Sequence, residues 1–591
     1  MGDDRHAAQS ALADAPAARA LLAGALAGLA LPPVGLPLLL WPSLALLWSL
    51  AGDPHEPQAL KVEAAAAAQG RSRRWGQRWG GLLWGLAAVL VSHRWLLWLH
   101  PLDWIGVPLP LSLPICLVLW LACGILGGVL VQLWLLLVRR LGAEQAATAL
   151  LASSLWGLAE VLLAGGPLFW IGLGGSALPG DRALAGLASL GGAGLVAAVQ
   201  LLIGWSLWRM LRHGGAWRRS LSLVLLLLIG SHGLGLAALA GRESAAGEGL
   251  KAFAGAWSAP SPTSSLAPSA ATLAALPAEE RLLLVQPAIP TRVKFEAASQ
   301  RRLLAQLLAA QRRAAALLAA DQGEPAPLLS PSPSPKISPS PSPSPSPSPS
   351  PGPGPGPRLS ALLLPEGALS LDQPLPEAPP LEVLSGGFRR EGVELRSSLL
   401  RFPLGSREPR GWIDKHRLVP LGEWVPLAGW WRWSGLSAVG GLEPGPASRL
   451  LDRPAGPIGV AICYELADGR ALARASQQGA RWLLASANLD PYPPLLQEQF
   501  LALGQLRAIE TGRWLVAVAN TGPSVVVDAA GRLQQRLPAG QPAEAVLSLQ
   551  QRRALTPYDR WGEGPLLTLL LLGTAWWLAG VRSRRPPGRR H

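Results

Sequence analysis

The stretch Gly459-Val460-Ala461-Ile462-Cys463-Tyr464-Glu465 decides how this chain is read. Its short apolar run predicts a buried β-strand that stops at the cysteine. A strand ending in cysteine presents the sulfur at the carboxyl edge of a sheet, where α/β folds gather their reactive groups. The competing reading is a small core residue, because free cysteine is among the most buried side chains. The chain has three cysteines. Cys116 and Cys123 fall inside a long apolar stretch, so Cys463 is the candidate nucleophile, and cysteines so placed form no disulfide framework and leave the redox compartment unread.

Of the 591 residues, 49% are hydrophobic and 15% charged, which puts part of the chain in lipid. The net charge is +15. Its lysines and arginines cluster beside apolar segments and form no stripe with interleaved aromatics, so membrane topology accounts for them and no nucleic acid partner is expected. Apolar stretches near 18–32, 34–51, 79–99, 110–138, 146–165, 186–209, 219–241 and 565–581 predict eight spans. The first two are short and broken at Leu31-Pro32-Pro33, with a hairpin as the alternative. A cleaved signal peptide is not expected, since Asp3 and Asp4 spoil a basic leader and more spans follow.

Lys61, Arg71, Arg73, Arg74 and Arg78, then Arg139 and Arg140, then Arg209, Arg212, Arg218 and Arg219, then Arg582 to Arg590 all fall on one side of eight spans. That side is expected to be cytoplasmic, with both termini, which leaves 242–564 facing a periplasm. Glu160 is expected to face the bundle interior or a wet cavity. His93 and Arg94 are expected to snorkel to the interface beside Trp95 and Trp98.

Residues 242–280 shift to Ala, Ser and Pro and read as a linker. Arg281–Gln286 then reads as a buried strand and Val293–Ala320 as a helix. From Ser330 to Pro357 runs a Ser-Pro and Gly-Pro tract, part of an insertion at about 325–357. It cannot bury apolar surface and reads as an extended spacer of roughly 80–90 Å at about 3.1 Å per residue.

A second apolar strand, from Ala361, ends in Pro365-Glu366-Gly367. A third segment, Gly411 to Pro420, carries Lys415 in a chain with only five lysines among 52 basic residues. A lysine supplies a compact point charge where arginine supplies a planar fork. The three make chemical sense together: a carboxylate deprotonates a thiol for attack on a carbonyl, and an ammonium stabilises the tetrahedral oxyanion. His416, next to Lys415 on an extended segment, would point elsewhere and offers no thiol–imidazole pair.

With these residues in hand, the chain resembles the nitrilase superfamily, and more closely its membrane-bound apolipoprotein N-acyltransferase branch, over nearly its whole length. Pro365-Glu366 matches the family's strand-end Pro-Glu. Lys415 to Glu423 matches Lys-x-x-Leu-Val-Pro-x-Gly-Glu, and Ile462 to Glu465 matches Ile-Cys-Tyr-Glu. Val285-Gln286 with Ile289-Pro290, the 507–513 helix segment, Asn520-Thr521-Gly522 and Thr556-Pro557-Tyr558 with Gly562 match as well. The family's Ser-Asn-Asp and Trp-Phe-Gly segment instead reads Ala487-Asn488-Leu489 and Asp490-Pro491-Tyr492-Pro493, so only Asn488 is retained, and Phe295 stands where the family has Trp.

The resemblance implies a multi-pass α-helical membrane bundle carrying an α/β nitrilase-like αββα sandwich. The bundle would occupy 1–241 with about seven helices and the sandwich 281–560. A final span at 565–581 and a basic cytoplasmic tail at 582–591 would follow. It also implies two-step acyl transfer in a bacterial inner membrane. Cys463 would take an acyl chain from a phospholipid donor as a thioester and pass it to the amine of a diacylglyceryl apolipoprotein. Glu366 would be the general base and Lys415 the oxyanion partner, supported by Glu423, Tyr464, Glu465 and Asn488, with no metal and no cofactor. Trp424, Trp430, Trp431 and Trp433 would anchor at the interface or cover the opening. Two alternatives use the same residues or none: a membrane-tethered amidase with water as acceptor, and a non-catalytic lipoprotein-binding scaffold.

Overall fold

A computed structural model describes residues 16–52, 65–103, 107–212, 217–255, 279–294, 296–321, 358–420, 422–424 and 441–583. Most of the Ser/Pro insertion, most of the linker, Trp430, Trp431, Trp433, Phe295 and most of the basic tail lie outside these residues.

Every apolar stretch is helical. The first seven are α1 (Pro16–Ala30), α2 (Pro37–Ser49), α3 (Ala65–Ser92), α4 (Leu109–Leu141), α5 (Ala146–Ala164), α6 (Ala188–Arg212) and α7 (Trp217–Gly255). By length and composition α4, α5, α6, Arg218–Ala240 of α7 and a C-terminal helix can each cross a membrane. The other three of the eight expected spans are shorter apolar helices: α1, α2 and Arg78–Ser92 of α3. At about 1.5 Å per residue, α1 with its 15 residues reaches about 22 Å, short of a ~30 Å hydrocarbon core. It packs against α2, as in the hairpin alternative, and against α3. Small residues permit this: a Cβ on Gly24 would lie 2.1 Å from the Trp84 carbonyl oxygen, and one on Gly28 2.5 Å from that of Ala88. α7 runs on to Gly255, so the stretch read as a linker begins as helix.

Two polar expectations inside the bundle part company. Glu160 is buried: its Oε1 accepts from Trp156 Nε1 and the Leu173 amide, both at 2.8 Å, and it lines a cavity of about 300 Å³. His93 does not snorkel. It is 3% exposed, bonded to Ser92 Oγ at 2.9 Å and the Phe169 carbonyl at 3.2 Å, with Trp95 and Trp170 around it. Buried aromatic neighbours and two hydrogen bonds hold the imidazole better than the interface would.

Two six-stranded sheets follow. The first has the order β12-β1-β2-β3-β4-β5, with β1 Glu279–Gln286, β2 Leu359–Leu364, β3 Glu382–Glu391, β4 Glu394–Phe402, β5 Gly411–Asp414 and β12 Ala543–Gln550. The second has the order β11-β10-β9-β8-β7-β6, with β6 Leu450–Leu451, β7 Ile458–Ile462, β8 Leu483–Ala487, β9 Leu515–Ala519, β10 Val525–Val527 and β11 Leu533–Arg536. β1 and β2 face β9, and β4 faces β7. Helix α8 (Ala297–Asp321) covers the first sheet. Helices α9 (Gly469–Gln477) and α10 (Pro494–Thr511) cover the second. The result is the expected αββα sandwich. β7 is buried at all five positions, as its uninterrupted apolar run requires for a strand covered on both faces.

The sandwich seats on the bundle through α10 and α11 (Pro557–Trp561) against α6, before the last helix α12 (Gly564–Ser583) packs on α5. α6 is broken there, at Gly191 and Gly192 (φ 73°), and the Tyr558 ring fills the gap. Glu510 of α10 caps the resumed helix, accepting from the Ala193 amide at 2.9 Å.

Candidate active site

Cys463 leaves β7 with φ at 54°, a left-handed conformation that costs a side-chain-bearing residue about 1–3 kcal/mol and persists only where its surroundings enforce it. Glu465 enforces it. Its Oε2 accepts from the Ile462 amide at 2.9 Å, while Oε1 accepts from the His416 and Arg417 amides at 2.6 and 3.1 Å. One carboxylate thus ties the turn after β7 to the segment after β5. Arg449 Nη1 donates to both its oxygens, at 3.0 and 2.9 Å, with both partners 3% exposed.

Glu366 arrives from the opposite sheet, two residues beyond β2. Gly386 of neighbouring β3 makes room, since a Cβ there would lie 2.4 Å from Glu366 Cα. Lys415, immediately after β5 and 1% exposed, donates to Glu366 Oε1 at 2.8 Å and Glu423 Oε1 at 2.6 Å. The other carboxylate oxygens are also held: Glu366 Oε2 by the Asn488 amide at 3.1 Å, Glu423 Oε2 by the Val419 amide at 2.9 Å.

Burial alone would pull the Lys415 ammonium down. Glu366 and Glu423, with the thiol, outweigh it and hold it well above the usual lysine range. Burial, and then the Glu366 charge, push the Cys463 thiol well above its ordinary value, with Lys415 pulling the other way. The sulfur is therefore a protonated thiol at rest and needs a base to become a nucleophile. Burial first, and Glu366 as a like charge, raise Glu423, against the pull of Lys415.

The structure thus gathers Glu366, Lys415, Glu423 and Cys463, sets Glu465 behind them and places Tyr464 against the bundle, with its hydroxyl donating to the Leu418 and Pro167 carbonyls. His416 turns away: its Nδ1 meets the Gly445 carbonyl at 2.7 Å. Trp424 is half exposed. Among the described residues no group of His, Cys, Asp and Glu is arranged to hold a metal ion.

Four contributors were missed in the sequence. Arg449 lies in an irregular stretch with no pattern. Tyr492 is pushed well above the usual phenol range by burial and then by Cys463, and stands edge-on to Trp95 at 6.1 Å. Lys294 lies against Gly367, and burial lowers its ammonium against the pull of Glu366 and Asp490. Arg417 stacks on the Tyr464 ring at 5.0 Å. Lysine scarcity was a usable signal for Lys294, as it was for Lys415.

Residues 411–554 match the carbon-nitrogen hydrolase family, a span that includes Lys415, Glu423 and Cys463 and starts after Glu366. The chain is 44% identical over 585 residues to the apolipoprotein N-acyltransferase of Prochlorococcus marinus strain MIT 9313, covering 97% of this chain and 96% of that one. This chain belongs to the apolipoprotein N-acyltransferase family. A second N-acyltransferase, from Parasynechococcus marenigrum strain WH8102, is 43% identical over 92% of this chain and 97% of its own. Among solved structures, an amidase of the nitrilase superfamily from Nesterenkonia AN1 aligns with 49% of this chain and 96% of its own, at 16% identity and a TM-score of 0.31.

In this N-acyltransferase the altered loop still serves the site. Asn488 Nδ2 donates to Thr291 Oγ1 at 2.8 Å and its Oδ1 accepts from Asn520 Nδ2 at 2.7 Å, while its own amide holds Glu366. Asp490 Oδ2 accepts from the Thr291 amide at 2.6 Å.

Proposed function

We propose that this protein transfers a fatty acyl chain from a phospholipid, through a Cys463 thioester, to the N-terminal amine of diacylglyceryl-cysteine apolipoproteins. The observation that carries the reading is the Lys415 ammonium shared by Glu366 and Glu423 beside a buried thiol.

In the first half-reaction Glu366 takes the thiol proton and the sulfur attacks the ester carbonyl, whose developing oxyanion faces Lys415. Collapse breaks the ester C–O bond, Glu366 returns the proton to the alkoxide, and a lysophospholipid leaves. In the second, the neutral α-amine attacks the thioester and Glu366 takes its proton. The sulfur departs as thiolate and regains that proton. Splitting one transfer into two lets two lipid-anchored substrates use the same opening in turn. Glu423 and Asn488 hold Lys415 and Glu366 in place, and Glu465 sets the turn that presents the sulfur.

The setting supports a lipid substrate over water as acceptor. Site residues touch the bundle directly, through Tyr464 to Pro167 and Tyr492 to Trp95, which sets the site beside the part of the chain that would meet lipid. The bacterial N-acyltransferase relatives support an inner-membrane location, and the lysine and arginine distribution supports a periplasmic sandwich and cytoplasmic termini.

Complementation of a strain lacking lipoprotein N-acylation, read by mass spectrometry of the lipoprotein N-terminus, tests the reading. The wild-type chain should restore the triacylated form and Cys463→Ala should not. A product that stays diacylated with the wild-type chain refutes it.

A further inference from the structure

Arg417 stands at the site with most of its binding capacity unused. Its Nη2 donates to the Gly166 carbonyl of the bundle, its own amide is held by Glu465, and its guanidinium lies over the Tyr464 ring. Nε and Nη1 are buried, and among the described residues they have no hydrogen-bond partner and no carboxylate pairs with the side chain. A buried, charged donor left unfilled is costly, and a guanidinium held by stacking and one carbonyl is preorganised for an anion with several oxygens. Lys415, two residues earlier, by contrast spends two of its three N–H groups on Glu366 and Glu423.

The charge also lies beside the turn that carries Cys463, and one of the two proposed substrates carries an anion. Arg417 covers Tyr464, the residue after Cys463. In a glycerophospholipid the ester that the sulfur attacks is a few bonds from the phosphodiester, whereas the acceptor brings an amine, which a guanidinium does not attract.

We propose that Arg417 sets donor specificity: its unfilled N–H groups receive the phosphodiester of the acyl donor while Cys463 attacks the ester. This rests on the acyl-transfer reading above and assigns recognition of the donor's phosphodiester to a specificity residue outside the Glu366, Lys415 and Cys463 set.

The test compares single-turnover thioester formation by the full-length protein from phosphatidylglycerol and from diacylglycerol bearing the same acyl chains. The readout is the ratio of the two rates. Arg417→Gln should lower the phospholipid-to-diacylglycerol ratio at least about tenfold, since a hydrogen bond to a charged group contributes roughly 1.5–3 kcal/mol. Arg417→Lys keeps a point charge without the planar donor set, should give an intermediate ratio, and carries the test alone if Arg417→Gln does not fold. A ratio equal to that of the wild type in the folded variant overturns the inference, including the case where both rates fall together. A wild type that forms no thioester from phospholipid overturns the acyl-transfer reading itself.

Discussion

Glu366→Gln should make the Cys463 thiol easier to ionise while abolishing most of the chemistry. Glu366 is the largest charge effect raising that thiol, and removing a like charge at close range lowers a pKa by about 1–3 units. The substitution also ends the claim of Glu366 on Lys415, which acts in the same direction. Below its pKa, the thiolate fraction rises tenfold per unit. Intrinsic nucleophilicity falls by about half as many decades, so alkylation by iodoacetamide should speed up by roughly threefold per unit, or about 3- to 30-fold. Acyl transfer loses its general base and should fall by about 10²–10⁴. Peptide-resolved mass spectrometry separates Cys463 from Cys116 and Cys123, and single-turnover thioester formation measures the transfer. If alkylation slows or stays constant, or if acyl transfer remains within tenfold of the wild type, Glu366 is not the base and the electrostatic account fails.

Lys415→Met leaves the Glu366 and Glu423 carboxylates, 11% and 19% exposed, without their shared cation, so the raised Glu423 should rise further. A group raised in the folded state stabilises below its unfolded value and loses that contribution as pH climbs through the folded one. The variant should therefore melt close to the wild type near pH 4 and progressively earlier toward pH 8, by an amount approaching about 3–5 kcal/mol; a pH-independent loss would contradict this. Glu465→Gln strands the buried Arg449 charge and should cost about 3–5 kcal/mol in thermal denaturation, with Arg449→Met added to it recovering part of the loss. Asn488→Ala leaves Thr291 Oγ1 and Asn520 Nδ2 short of a partner and should cost about 1–3 kcal/mol. Its thioester should form more slowly than in the wild type yet faster than in Glu366→Gln.

Two of the strands that present the site were legible because each is a local pattern, an apolar run stopping at Glu366 or at Cys463; the short Gly411–Asp414 strand before Lys415 has no such run, and rarity of lysine marked it instead. Helix length was less legible. α1 and α2 are apolar enough to read as spans but too short, and hydropathy marks composition more sharply than ends. His93 was misplaced because a histidine beside tryptophans at a span end looks the same whether it faces water or a pocket walled by Trp170 and Phe169.

The sequence by itself determined the two environments, the order of the three reactive groups and the family, all carried by contiguous residues and hydropathy. Only the tertiary structure decided what joins them. It decided that Lys415 bridges Glu366 from one sheet to Glu423, and that Glu465 bolts the Cys463 turn to the lysine segment across sequence separations of 49 and 48. It also decided that Arg417 lies over Tyr464 with Nε and Nη1 unpartnered among the described residues. Such pairings depend on how sheets and bundle pack, and residues far apart in the chain carry no mark of which partner the fold will bring.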